Sequence, residues 1–168
     1  NPNQENEQFR GAIYRMDLTR GEIVDEWRPK DTIVPVREFV PMTKYGQQRG
    51  EQTFAILNAN SIFGMDPRLK SKDRIIGDSD ELTSRSKPDL SCGSTSDVGQ
   101  LAVGNREGEI RLHRGIPGGA KVQGKGANPK MAKTLLPGFG YPIKGIDVSA
   151  DGQWVLATCA SYLLVIPT

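Results

Sequence analysis

Four times along this chain an apolar strand-length run is followed by a tight polar turn and a second apolar run. The paired runs are 13–17 with 22–27, 53–57 with 61–66, 100–104 with 109–113, and 154–159 with 162–166. Taking Ile23, Ile62, Ile110 and Leu164 as equivalent positions, the intervals are 39, 48 and 54 residues (62 − 23, 110 − 62, 164 − 110). A recurrence of that size is the mark of a β-propeller, whose four-stranded blades take roughly 40 to 50 residues each. The longest interval contains a Gly- and Lys-rich insertion at 115–133, which accounts for its length. An ordinary sandwich would show similar hairpins, but not at blade-sized spacing.

A fifth segment supports the same reading. Ile143 to Trp154 runs as a strand, then Ser149-Ala150-Asp151-Gly152, then the start of another strand. Asp-Gly between apolar runs is a strong hairpin signal. The chain's 19 Gly and 11 Pro are scattered along its 168 residues rather than gathered in one linker, as many short strands require. No stretch keeps a helical period. The expected fold is therefore an all-β, WD-repeat-like β-propeller fragment of about three and a half four-stranded antiparallel blades. Its blade portions fall near 9–35, 36–80, 88–136 and 143–168, behind a polar, disordered-looking tail at 1–8.

Charge and composition narrow the classes further. With 22 basic and 20 acidic residues the net charge is only +2, too even to imply a nucleic-acid or membrane surface by itself. No apolar run approaches the roughly 18 to 20 residues of a membrane span. The two cysteines, Cys92 and Cys159, form no disulfide framework or metal cluster, and Cys159 sits in an apolar strand pattern as a buried thiol. Reduced thiols suit an intracellular compartment.

Candidate chemistry is sparse. Gly119 to Gly126 nearly matches a phosphate-binding loop, but Gly126 stands where the Mg²⁺-binding hydroxyl belongs, and Ala127-Asn128-Pro129 starts no helix. Its lysines, Lys121, Lys125, Lys130 and Lys133, form a local basic stretch that could meet acidic or phosphate-bearing partners. His113, the only histidine, reads as a strand-end residue with its ring at the surface. Asp25 and Glu26 point to opposite faces of a strand and cannot converge for acid–base work. Trp27 and Trp154 read as packing between sheets. No catalytic residue, metal or cofactor is expected.

Several motifs, in order, resemble one known family. They are Glu51-Gln52-Thr53-Phe54, Asn60-Ser61-Ile62-Phe63, Asp66-Pro67-Arg68-Leu69, Gly108-Glu109-Ile110-Arg111-Leu112, Leu136-Pro137-Gly138-Phe139-Gly140, and the run from Gly145 through Cys159 to Leu164. This pattern is similar to the vacuolar import and degradation protein 27 family, whose plant relatives include the defective embryo and meristems proteins. The resemblance runs from about Ile13 to the last residue. It implies a cytoplasmic, WD-repeat-like propeller in the C-terminal half of a longer protein. It also implies a part in the glucose-regulated turnover of cytosolic cargo, which in the founding member is fructose-1,6-bisphosphatase. No catalytic residues are attributed to the family. Local departures are His113, where an aromatic is usual, Pro167 in place of an acidic residue, and the longer insertion from Ile116 through Met131.

The expected function is thus a non-enzymatic scaffold that binds other proteins, the cargo and machinery of degradation or trafficking. Loops that join the second and third strands, or consecutive blades, share one face of a propeller and carry such contacts. Arg68, Arg106 and Tyr141 are the first candidate partner-binding residues, with the four lysines beside them. The alternative is a nucleotide- or phosphate-binding regulator using the Gly/Lys loop. A part-propeller exposes sheet edges and faces, so it is expected to pack against further blades or a second copy.

Overall fold

The structure, a computed structural model, describes residues 11–30, 35–76, 87–116 and 132–168. The first sheet is a hairpin of β1 (Ile13–Asp17) and β2 (Glu22–Trp27). The second holds β3 (Glu38–Pro41), β4 (Phe54–Leu57), β5 (Ile62–Met65) and β6 (Ile75–Ile76). The third holds β7 (Leu90–Thr95), β8 (Leu101–Asn105), β9 (Ile110–His113) and β10 (Ala132–Leu136), and the fourth β11 (Gly145–Val148), β12 (Trp154–Thr158) and β13 (Leu163–Pro167). Every pairing is antiparallel between strands adjacent in the chain. The described helical residues are two short 3₁₀ turns, Gln47–Arg49 and Ser71–Asp73.

Alternation of side chains decides how the sheets stack. A strand whose neighbours cover both faces needs apolar groups at odd and even positions alike, and β8 is buried throughout. Leu101 and Val103 pack toward the second sheet with Val40, Ala55, Leu57, Ile62 and Leu90. Ala102, one residue out of phase, packs the other way with Ile110, Leu112, Val148, Val155 and Ala157. A third cluster, Trp27 with Ile56, Phe63 and Met65, joins the first sheet to the second. Fully burying each such aliphatic side chain contributes about 1.5–3 kcal/mol.

The first strands β3, β7 and β11 stand side by side where the sheets converge, and polar side chains stitch them together. Gly93 N donates to Glu38 Oε2 (2.5 Å), Thr95 Oγ1 to the Pro41 carbonyl (2.8 Å), and Ser94 Oγ to Asp147 Oδ1 (2.9 Å). Lys44 reaches from the second sheet to the fourth, donating to Asp147 Oδ1 (2.5 Å) and the Val148 carbonyl (2.6 Å). Sheets stacked face to face around their first strands make this chain a propeller fragment.

The structure changes the sequence expectations for the first hairpin and for His113. The first hairpin does not match the β4–β5, β8–β9 and β12–β13 hairpins, as the equivalence of Ile23 with Ile62 required. It matches β5–β6. Ile13 to Asp17 parallels Ile62 to Asp66, and both aspartates cap the turn that follows: Thr19 N donates to Asp17 Oδ1 (2.9 Å) and Arg68 N to Asp66 Oδ1 (3.0 Å). Asp25 on β2 pairs with Arg74 at the start of β6 (2.6 Å). The repeat then evens out to 49 and 48 residues (62 − 13, 110 − 62). Any antiparallel hairpin reads alike in sequence, and only stacking tells which strands it holds. His113, in turn, is buried, because Leu101 on one side and Ala132 on the other flank it within the sheet.

Candidate interaction surface

Antiparallel order sorts the connections to two ends of the stack. Links between second and third strands, and between sheets, emerge at one end, here called the upper end. Links between first and second, or third and fourth, strands emerge at the lower end. Arg106 belongs to the β8–β9 turn and Tyr141 to the link from the third sheet to the fourth, so both lie at the upper end. Arg68 follows β5 and lies at the lower end, although the sequence reading grouped it with them. Lys133, in β10 near its start, is at that lower end too. Lys121, Lys125 and Lys130, with most of the 115–133 insertion, lie outside the described residues, as does the 1–8 tail.

Arg68 is held locally. Its Nε and Nη2 donate to the two carboxylate oxygens of Asp66 at 2.9 and 2.7 Å, which holds the Asp66 carboxyl below its usual range. Arg49 grips Asp97 in the same forked way at that end, across two sheets (2.9 and 2.5 Å). These guanidiniums have carboxylate partners within the chain.

At the upper end the β8–β9 turn is built around Asn105, which is buried. Its Oδ1 accepts from Glu107 N (3.1 Å) and Glu109 N (2.7 Å), and its Nδ2 donates to Glu109 Oε2 (2.9 Å). The Asn105 carbonyl accepts from Ile143 N (3.0 Å), which ties the inter-sheet link to the turn. Gly108 and Gly138 let the two backbones meet. A Cβ on Gly108, whose φ is +90°, would lie 2.7 Å from the Tyr141 carbonyl oxygen, and one on Gly138 would lie 2.5 Å from the Glu107 carbonyl oxygen. Ile143, 1% exposed, anchors the far end of the link in the core.

Three aromatic rings stand on this support. Phe139 is 70% exposed and Tyr141 54%, while Tyr162, beside the β12–β13 turn, is half-buried. Phe139 and Tyr141 each meet Tyr162 edge to face, with centroids 6.4 and 5.8 Å apart. Beneath them the Cys159 thiol is buried, and its hydrogen bond with Tyr162, together with burial, raises the Tyr162 phenol above its ordinary range. The Arg106 N–H donates to the Asp89 carbonyl (3.2 Å), and its Nε lies 3.7 Å from Asp89 Oδ2, while Arg37 pairs with Oδ1 of the same carboxylate at 2.8 Å. The sequence singled out Tyr141 and Arg106 but missed Phe139 and Tyr162. An aromatic in a link or at a strand start has no periodicity to mark it.

Antiparallel sheets stacked around their first strands define a WD40-like fold. The chain belongs to the VID27 family, matching the VID27 C-terminal WD40-like domain over residues 3–168. It is 40% identical over 157 residues to vacuolar import and degradation protein 27 of Schizosaccharomyces pombe, covering 94% of this chain and 18% of that protein. It is 34% identical over 153 residues to the protein of the same name from Saccharomyces cerevisiae, covering 91% of this chain and 18% of that one. The chain thus spans about a fifth of the length of these curated relatives.

Proposed function

We propose that this chain is a non-enzymatic, cytoplasmic protein-interaction platform serving the vacuolar import and degradation of cytosolic cargo, of which a gluconeogenic enzyme is the expected kind. The family name of the relatives supports the process. The observation that carries the platform reading is the upper end, where loops rigidly seated on stacked sheets hold exposed aromatic and arginine side chains, the residue types enriched at protein interfaces. No helix among the described residues is long and apolar enough to cross a membrane.

The test is affinity capture of the full-length protein with mass spectrometry, comparing wild type with Arg106→Glu and with deletion of 116–131. Loss of a consistent set of partners with Arg106→Glu is expected. An unchanged partner list for every upper-end variant would end this reading.

The end faces of the stack supply a second proposed contact. Counted from the turn between second and third strands, Leu163 and Val165 occupy the places of Ile110 and Leu112. Ile110 and Leu112 are 1% and 6% exposed, whereas Leu163 and Val165 are 65% and 66% exposed. At the other end Met16 is 51% exposed where its counterpart Met65 is 1% exposed. A further sheet of the same kind, or a second copy, is the partner that would cover these faces.

A further inference from the structure

We infer that the upper end receives an acidic, extended peptide segment carrying an aromatic or proline side chain, seated on Phe139, Tyr141 and Tyr162 with Arg106 and Lys144 facing its carboxylates. This rests on the platform reading and adds the chemistry of the partner.

Anchored exposure is the first observation. A mobile link could turn its rings inward, but Ile143, the Asn105 carbonyl and the glycine contacts hold this one from both sides. Phe139 nevertheless keeps most of its surface in water, with two more rings beside it. Rigid aromatic groups lose little conformational freedom on binding, and they carry interface energy where a partner excludes water from them.

Charge is the second observation. The exposed charges on the segments around the rings are Arg106, Glu107 and Lys144, two cations to one anion. The remaining described links at this end add Arg28, Lys30, Arg37 and Lys87 against Asp89, which Arg37 and Arg106 already share. Arg28 itself pairs with Glu26 at 2.6 Å. Around the rings the charge of the described residues is therefore net positive and favours an acidic partner, while the net charge of the whole chain is only +2. An extended backbone lets one side chain meet the rings while its neighbours reach the cations on either side.

The test uses the full-length protein and fluorescence anisotropy with a labelled synthetic peptide, a central Phe-Pro flanked by Asp and Glu. Two control peptides carry Lys for the acids or Ala for the Phe. The acidic aromatic peptide should bind at least about tenfold more tightly than either control, and more weakly as salt rises. The double variant Phe139→Ala/Tyr141→Ala and the single variant Arg106→Glu should each lose about tenfold or more. Lys70→Glu, at the lower end, should leave binding unchanged. Equal binding of the Lys-bearing peptide, or equal damage from Lys70→Glu, overturns the inference. Partner capture lost in Phe139→Ala/Tyr141→Ala without acidic-peptide binding overturns the partner chemistry alone. Capture that survives every upper-end variant overturns the platform reading with it.

Discussion

Replacing Gly108 by alanine tests the seating of the 137–142 link on the β8–β9 turn. Two costs arise. The first is conformational: at φ +90° an L side chain is strained by about 1–2 kcal/mol. The second is steric, since the new Cβ would lie 2.7 Å from the Tyr141 carbonyl oxygen and 3.3 Å from Tyr141 N, both backbone atoms that cannot rotate away. Overpacking of that kind costs about 1–3 kcal/mol. Gly140 supplies the control. It lies in the same link at φ +79°, with nothing within 4 Å of its Cβ position, so Gly140→Ala meets the first cost without the second. The expected totals are about 2–5 kcal/mol for Gly108→Ala and about 1–2 kcal/mol for Gly140→Ala. Cys159 reports locally, because its thiol is buried under the link, 4.0 Å from the Tyr141 carbonyl oxygen. Its alkylation by iodoacetamide should be faster in Gly108→Ala than in Gly140→Ala by about five- to a hundredfold, each 1.4 kcal/mol of easier opening being tenfold. Equal labelling rates in the two variants would refute the close seating of turn and link.

Ile110→Ala should cost about 2–5 kcal/mol in denaturant unfolding, since the side chain is enclosed between the third and fourth sheets. Leu163→Ala should be near neutral in this chain alone, and should approach the cost at its counterpart Ile110 in the full-length protein if a further sheet covers that face. For Asp147, burial works against the charged form. Hydrogen bonds from Lys44, Ser94 and Val148 N outweigh it, so its carboxyl titrates below the ordinary range. Its folded pKa is depressed, so its contribution is present above the unfolded value of about 3.9 and is lost as pH falls through the folded one. Lys44→Met should therefore lose stability at neutral pH and show a weaker acid dependence in thermal melts. Glu38 behaves oppositely: burial, only partly offset by the Gly93 N–H, raises its carboxyl. Glu38→Gln should then melt no lower than wild type at pH 7, and any advantage it has there should shrink as the pH falls and wild-type Glu38 becomes protonated. ATP or GTP with Mg²⁺ should leave the melting temperature unchanged. A rise that disappears in Lys125→Ala would revive the phosphate-loop alternative.

What the sequence determined by itself is the strand inventory. Alternating apolar runs and tight turns are local, so the hairpins at 53–66, 100–113 and 143–166 were legible without knowing their neighbours. Recurrence at blade size was equally legible, because each blade repeats one supersecondary unit. Tyr141 and Arg106 could be found as upper-end residues by counting strands. Arg68 could not be placed by its family-like motif, since the end of the stack it occupies follows from its position after a third strand. The identity of the first hairpin was likewise a tertiary matter. Ile13 and Trp27 meet Ile56 and Phe63 of the second sheet, and Asp25 meets Arg74, contacts made by residues dozens of positions apart. His113 and Trp154 exchange their expected environments for the same reason: one lies between paired strands and is buried, the other is half-exposed on the fourth sheet. Burial belongs to the stacking of sheets, and the aromatic cluster belongs to the meeting of a turn with a link. Both depend on backbones that approach only after the chain has folded.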